Sequence, residues 1–232
     1  MIKTKPTATT ATIQAEFDRI ALVTSAEGWS QNSYYHDFLL RHTPAGCRKA
    51  LEIGCGTGAF SRRLAARSEH VTALDLSPEM IRIARERSAE FPNIEFHVQD
   101  AASSDFPSEE FDCIATIATL HHLPFKLMLD KMKRALRVGG VLLILDLLEP
   151  ESFYDLLTSA VAYPVCASLR LLKQRRLRPP AEVRAAWAEH EQYDSYLTLS
   201  EVRAACNEAL PGARVRRHLM WRYSVVWKKV VV

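Results

Sequence analysis

This 232-residue chain lacks closely spaced cysteines: its five cysteines are scattered, and no two stand in a C-x-x-C arrangement. We therefore expect no structural zinc and no disulfide framework, but free thiols in a reducing cytoplasm. The first twelve residues are rich in threonine and lack an apolar core, which argues against a signal peptide. Glycine is also scarce, and three of the eight glycines fall within residues 54–58.

Long apolar runs and a strong excess of charge are missing too. The uncharged run over residues 156–169 has 14 residues, whereas a membrane-spanning helix needs about 20. We expect a core or lid helix there, with a membrane-surface helix carrying a basic flank as the alternative. Residues 1–150 carry a net charge of −2 and residues 151–232 a net charge of +5. So small a surplus argues only weakly for nucleic acid as a partner.

Apolar strands alternate with helices from residue 48 onward. Strands are predicted at 48–53, 71–75, 94–98, 111–117 and 141–147, and helices at 58–67, 78–90 and 126–137. Ser77-Pro78-Glu79 is a typical helix start, and Gly139-Gly140 is suited to ending the helix before it. This alternation predicts an α/β fold, in which a doubly wound, mostly parallel sheet has helices on both faces.

The alternation of strands and helices stops after residue 150. Helices are predicted at 153–172, interrupted by Pro164, and at 181–191. Thr198 and Glu201 have capping-box spacing and should open a helix that runs to residue 209. Two further strands, at 213–220 and 222–230, would bring the sheet to seven strands.

The most informative segment is the glycine turn, which we define as residues 54–58. Gly54, Gly56 and Gly58 directly follow a predicted strand that carries Glu52 near its end. Such a turn lets a ligand approach bare backbone at the start of a helix, where unpaired N–H groups point outward. Asp75 ends the next predicted strand, and an acid there suits a ribose diol. The segment therefore indicates a cofactor that contains a nucleoside.

Two cofactor classes fit the glycines alone. Gly54-x-Gly56-x-x-Ala59 matches a relaxed dinucleotide fingerprint, which leaves a nicotinamide-dependent reductase open. Three observations argue against that reading. Gly58 adds a third glycine, Glu52 suits a cationic amine better than a pyrophosphate, and no tyrosine is followed four residues later by lysine.

Five motifs then occur in order over residues 48–148. They are Leu51–Gly58, Asp75–Met80, Gln99–Ala101, Phe111–Ile114 with Leu120–Leu123, and Arg137–Leu142. This series resembles the class I S-adenosylmethionine-dependent methyltransferases, and within them the branch of small-molecule and quinone methyltransferases. The resemblance implies a Rossmann-like fold with S-adenosylmethionine as the cofactor.

The resemblance also assigns roles to individual residues. The glycine backbone would lie against the methionine part of the cofactor with Ile117 beside it, and Glu52 would hold the turn and the cofactor's amine. Asp75 would accept both ribose hydroxyls, and the remaining residues would surround the adenine. The cofactor-binding residues are thus Glu52, Gly54, Gly56, Gly58, Asp75, Leu76, Met80, Asp100, Ala101 and Ile117.

Two histidines, His121 and His122, follow the fourth strand at the edge that faces the ligand crevice. Either could deprotonate an acceptor, because histidine titrates near neutrality; the alternative is that the pair only shapes the loop. Aromatic residues and one more histidine are the candidates for contacting the methyl acceptor, with plain packing as the alternative. They are Trp29, Tyr34, Tyr35, His36, Tyr154 and Tyr163.

The predicted reaction transfers a methyl group to an oxygen, nitrogen or carbon atom of a small organic molecule and releases S-adenosylhomocysteine. Motifs of DNA methylation and an acidic cluster suited to magnesium are missing from the sequence, so we expect a small acceptor and no metal. The alternatives are a non-catalytic cofactor-binding regulator, a nicotinamide reductase, and a tRNA or protein methyltransferase. The single domain would comprise an N-terminal tail and lid helices (1–47), the cofactor core (48–150), a helical substrate cap (151–195), and a final helix with two strands (196–232).

Overall fold

A computed structural model describes residues 9–24, 28–151 and 153–230, without the side chains of residues 153, 154 and 156. Its strands are β1 (Cys47–Ile53), β2 (Ser68–Asp75), β3 (Ile94–Val98), β4 (Phe111–Ile117), β5 (Leu136–Leu147), β6 (Arg214–His218) and β7 (Arg222–Lys228). Its α-helices are α1 (Thr10–Val23), α2 (His36–Leu40), α3 (Ala59–Ala65), α4 (Pro78–Arg87), α5 (Phe125–Ala135), α6 (Phe153–Gln174), α7 (Ala181–His190) and α8 (Leu199–Ala209).

The seven strands form one sheet in the order β3-β2-β1-β4-β5-β7-β6. Strands β1 to β5 pair in parallel, whereas β7 is antiparallel to both β5 and β6. The sheet is therefore mixed, with its antiparallel part confined to one edge. The chain winds outward in opposite directions from β1 and β4, and ligands of such sheets bind at this switch point, beyond the carboxyl ends of the strands.

Helices cover both faces of the sheet, which confirms the predicted doubly wound arrangement. On one face, Ile114 and Leu142 pack with Met132 of α5 and Val202 of α8 in a single buried cluster. On the other face, buried side chains of β1, β4 and β5 pack with those of α2 and α3. Strand β4 is central and almost wholly buried, as its apolar sequence predicts.

Two helix starts agree closely with the sequence. Ser77 caps α4, where its hydroxyl accepts a hydrogen bond from the Met80 N–H at 3.0 Å and Pro78 takes the first helical position. Thr198 and Glu201 form a complete capping box at the start of α8. Both motifs satisfy N–H groups that a helix cannot pair internally, so local sequence is sufficient to place them.

Two expectations about breaks in regular structure are wrong. Gly139-Gly140 does not end a helix: α5 ends at Ala135 and leads directly into β5, which contains both glycines. Gly139 has a φ of +85°, and its N–H donates to the Lys229 carbonyl at 2.7 Å. A left-handed glycine serves a helix end and an irregular strand equally well, which explains the error.

Pro164 likewise does not divide its segment, because α6 is continuous from Phe153 to Gln174 with the proline inside it. Buried residues on both sides of the proline, Ala162 and Cys166, face the protein and hold the helix in place. This packing offsets the backbone hydrogen bond that a proline removes. None of the helices within the described ranges is long and apolar enough to cross a membrane.

Candidate functional site

The glycine turn lies directly beyond the carboxyl end of β1. The N–H groups of Gly54 and Cys55 both donate to the Leu74 carbonyl of β2, at 2.8 and 2.9 Å. Gly54 has a φ of +73°, and a Cβ atom there would lie 2.0 Å from the Thr119 hydroxyl. Only glycine fits this position, so the turn is held tightly between the ends of β2 and β4.

Asp75 is tied to the glycine turn, as expected for an acid that shapes a ribose site. Its carboxylate accepts hydrogen bonds from the Gly56 N–H at 2.7 Å and the Ser77 N–H at 2.9 Å. Burial raises the pKa of Asp75, while these backbone donors lower it. A carboxylate offers about four acceptor sites, so acceptor capacity remains for a ribose hydroxyl group.

Glu52 is buried at the end of β1, with 2% of its surface exposed. The Ser61 hydroxyl of α3 donates to its carboxyl at 2.5 Å. Burial raises the pKa of Glu52 to about 8, against the lowering effect of Ser61. A cationic amine beside the carboxyl would favour its charged form, which fits the role that the resemblance assigns to this residue.

The other predicted cofactor residues lie along the same sheet edge. Asp100 follows β3 and accepts a hydrogen bond from the Ala102 N–H at 2.9 Å. Ala101 is buried, and so is Ile117 at the end of β4. These residues have the positions expected from the sequence, while their contacts with the cofactor stay a prediction.

Helix α1 covers the start of α4, next to Asp75. Asp18 of α1 accepts hydrogen bonds from the Ser77 hydroxyl at 2.5 Å and the Glu79 N–H at 3.2 Å. Met80 is buried in a cluster with Ile20 of α1, and Leu76 is half-buried. The predicted N-terminal lid therefore includes a helix that contacts the adenine side of the proposed site.

His121 is held by an acid at the end of β5. Its ring Nδ1 lies 2.6 Å from an Asp146 carboxylate oxygen, and its backbone N–H donates to the other oxygen at 3.0 Å. Since the carboxylate can only accept, Nδ1 carries a proton, and in the neutral form of this ring Nε2 carries the lone pair. Asp146 is 1% exposed and also accepts from the Leu147 N–H. The pair has the geometry of an oriented histidine base.

His122 lies in a different environment, although its ring is only 3.9 Å from that of His121 between centroids. Burial, with His121 and His190 nearby, lowers the pKa of His122 to about 2, so the ring stays neutral. Its Nδ1 lies 3.5 Å from Asp194, and its buried Nε2 has no hydrogen-bond partner among the described residues. His122 is therefore poorly suited to act as a base.

A polar cluster surrounds His122 beneath α1. His190 connects Glu16 of α1, at 2.8 Å, with Asp194, at 3.4 Å, and the Tyr196 hydroxyl donates to Asp194 at 2.6 Å. One ligand atom each from His121, His122 and Asp194 lie within 4.8 Å of one another, close enough for a divalent ion to be held. The expectation that the protein uses no metal stays a prediction.

The residues predicted to contact the acceptor have different surroundings, although the rings of Tyr34 and Tyr35 are in contact. The Tyr35 hydroxyl donates to the Leu219 carbonyl at 2.7 Å, and His36 packs on Phe60; both are buried. Tyr34 and Tyr163 are exposed, and Tyr163 packs edge-on against Trp221. Trp29 is half-buried, with its carbonyl bound by Gln174, and the Tyr154 side chain lies outside the described residues. These contacts favour packing for Tyr35 and His36.

Sequence reasoning missed several residues of this site. Asp146 carried a usable signal, because it ends an apolar strand as Asp75 does. Glu16, His190 and Asp194 gave no such signal. They lie in two helices and a loop without a motif, and Glu16 and His190 are 174 positions apart in the chain.

A family model and two relatives of this chain carry the names of methyltransferases. A family model described as a methyltransferase domain matches residues 50–140. An uncharacterized methyltransferase of Mycobacterium bovis is 31% identical, over 88% of this chain and 98% of its own length. A ubiquinone biosynthesis O-methyltransferase of Xylella fastidiosa is 30% identical, over 76% of this chain and 77% of its own.

Solved structures show the same fold. The N-methyltransferase NodS from Bradyrhizobium japonicum, in complex with S-adenosylhomocysteine, superposes with a TM-score of 0.62 at 19% identity. The match covers 94% of this chain and 98% of that one. The tight glycine turn, Asp75 and Glu52 also fit the nucleoside and the amine of this cofactor. The chain therefore belongs to the class I S-adenosylmethionine-dependent methyltransferases, and S-adenosylmethionine is its methyl donor.

Proposed function

We propose that the protein methylates a hydroxyl group of a small organic molecule, with His121 as the base that takes the hydroxyl proton. The observation that carries this proposal is the His121–Asp146 pair, which leaves the Nε2 lone pair of a buried imidazole for the acceptor. The acceptor would lie between the N-terminal lid and the cap of residues 151–195. The name of the Xylella relative, an O-methyltransferase of ubiquinone biosynthesis, supports oxygen as the methylated atom.

The chemistry of methyl transfer assigns different roles to the cofactor and to the protein. The cofactor supplies an activated methyl group on a sulfonium, so the protein mainly has to bring the acceptor oxygen into line with it. Such positioning contributes about 7–11 kcal/mol in well-oriented reactions. His121 accepts the proton as the hydroxyl becomes a nucleophile, and Asp146 stabilises the imidazolium that results. His122, which stays neutral, shapes the pocket beside it.

The test uses acceptors of graded acidity. A screen of phenols, amines, quinols and carboxylic acids, with detection of S-adenosylhomocysteine, first identifies a turned-over series. His121→Gln and Asp146→Asn should then lower kcat by about 10²–10⁴-fold for weakly acidic phenols, as expected for loss of a general base. Phenols that are already ionised at the assay pH should be affected far less.

The controls separate a base from a structural residue. His97→Gln changes an exposed histidine on β3 and should leave kcat unchanged. The affinity for S-adenosylhomocysteine should be the same in all variants. A loss of activity that is equal for ionised and neutral phenols would remove His121 from the chemical step and leave it a structural role.

A further inference from the structure

The outward face of α6 is uncharged and apolar over four turns. Leu157, Val161 and Leu172 are 52%, 55% and 77% exposed, and they share one side of the helix because their spacings follow its period. Pro164 and Leu171 are exposed on the same side, with Ser168 as the one polar residue among them, and the stripe extends about 22 Å along the helix. Single exposed apolar residues are ordinary on a protein surface, but a continuous stripe marks an interaction surface.

A run of basic residues continues this stripe at its carboxyl end. The five basic residues are Arg170, Lys173, Arg175, Arg176 and Arg178, all but Arg170 are exposed, and no acid occurs between residues 156 and 181. Leu177, within the run, is 60% exposed. An apolar helix face next to clustered positive charge is the pattern of helices that lie on anionic bilayers, where each basic residue strengthens binding about fivefold.

The inner face of α6 belongs to the cap. Ala162 and Cys166 are buried, the Ser159 hydroxyl accepts a hydrogen bond from the Trp221 indole at 2.8 Å, and Gln174 donates to the Trp29 carbonyl at 2.9 Å. The helix is thus fixed to the protein on one side while its apolar stripe faces away from the protein. The large apolar side chains of the stripe among the described residues, Leu157, Val161, Leu171 and Leu172, are all exposed.

We propose that α6 docks on an anionic phospholipid surface, with its apolar stripe in the headgroup region and the basic run on the lipid phosphates. Docking in this way would place the cap against the bilayer, so an acceptor that partitions into lipid could enter without crossing water. The docking itself is independent of the proposed reaction, whereas the lipid-soluble acceptor rests on the proposed function.

Vesicle co-sedimentation of the full chain tests the docking without any acceptor. Vesicles of phosphatidylglycerol should bind the protein at least about tenfold more tightly than vesicles of phosphatidylcholine, and rising salt should weaken this binding. Val161→Asp combined with Leu172→Asp should reduce binding at least about tenfold. The matched control, Leu127→Asp with Val138→Asp, alters two exposed apolar residues elsewhere by the same charge and should retain most of the binding.

A second pair of variants examines the basic run. Arg175→Glu with Arg176→Glu should weaken binding to anionic vesicles more than Arg203→Glu with Arg214→Glu, which changes two exposed arginines of α8 and β6. Unchanged melting temperatures and S-adenosylhomocysteine affinities establish that the variants fold. The salt dependence of the unaltered protein tests the proposal even if a variant fails to fold.

Three results would overturn the docking: no binding to anionic vesicles at low salt, equal losses in the control variants, or a dimer that the α6 variants convert to monomers in the absence of lipid. The last result would assign the stripe to a second copy of the chain. Turnover of a water-soluble acceptor is measured separately, so failure of the docking and failure of the proposed reaction can be told apart.

Discussion

Two adjacent histidines of the same sequence motif differ in chemistry because of their neighbours. His121 is oriented by a buried carboxylate, whereas His122 lies among other histidines and burial lowers its pKa to about 2. The sequence predicts both as candidate bases, since it shows only that they follow β4. What separates them is Asp146 on the neighbouring strand, a contact that requires the fold.

Glu52 allows a prediction about stability and pH. The pKa of this carboxyl is about 8 in the folded protein, against an ordinary value of 4.5. The unfolded chain therefore loses this proton above about pH 4.5, while the folded chain keeps it until about pH 8. Because the folded state binds more protons in that window, the free energy of unfolding should fall as the pH rises, by at most roughly 4–5 kcal/mol.

Glu52→Gln should remove this dependence, because an amide does not titrate. Urea unfolding between pH 5 and 8 should give a flatter profile for the variant than for the unaltered protein. Glu90→Gln, which replaces an exposed glutamate, should keep the original slope. Glu52→Gln should also bind S-adenosylhomocysteine more weakly than the unaltered protein, since the amide lacks the negative charge that would pair with the amine of this ligand. Equal slopes in Glu52→Gln and the unaltered protein would contradict the prediction.

At the scale of elements, the local sequence predicts where a helix begins better than where it ends. The caps of α4 and α8 are encoded by two or three residues that satisfy free N–H groups, and both are found. Gly139-Gly140 and Pro164 are ambiguous signals, because glycine also suits an irregular strand and a proline can be accommodated in a helix that is packed on both sides of it. Tertiary contacts, which the sequence does not display, decide those two cases.

The glycine turn between β1 and α3 yields a prediction at this scale. Gly54→Ala would combine a left-handed φ of +73° with a Cβ atom 2.0 Å from the Thr119 hydroxyl. We expect a loss of about 2–4 kcal/mol in the free energy of unfolding, because both the backbone strain and the overlap must be relieved. The affinity for the cofactor should fall as well, since Thr119 or the turn must move.

Gly46→Ala is the matched control for that variant. Gly46 has a similar φ of +67°, but a Cβ atom there meets nothing within 4 Å. Its cost should therefore be the strain alone, about 1 kcal/mol, with no change in cofactor affinity. Urea unfolding and calorimetric titration with S-adenosylhomocysteine measure both quantities. Similar losses in the two variants would show that the overlap with Thr119 is easily relieved.

For the whole molecule, the donor side of the site is predictable and the acceptor side is not. Gly54, Glu52 and Asp75 lie at or next to strand ends in a fixed pattern, so their convergence can be foreseen from a parallel sheet. The proposed acceptor side would join α1, the loop after β4 and the predicted cap, which are far apart in the chain. Contacts between these segments, such as that of Glu16 with His190, depend on how the segments pack. No local sequence pattern predicts this packing.

The identity of the methyl donor can also be tested on the whole molecule. A ligand that binds only the folded state raises the free energy of unfolding of the whole domain. S-adenosylhomocysteine at about 100 times its Kd should add about 2.7 kcal/mol, which raises the melting temperature of a domain of this size by about 5–10 °C. NADH at the same concentration should give no shift, although Gly54-x-Gly56-x-x-Ala59 fits a relaxed dinucleotide pattern. Glu52 favours an amine instead, and Asp75, which accepts a hydrogen bond from the Gly56 N–H, favours a single ribose. A shift with NADH and none with S-adenosylhomocysteine would contradict the assignment of the glycine turn.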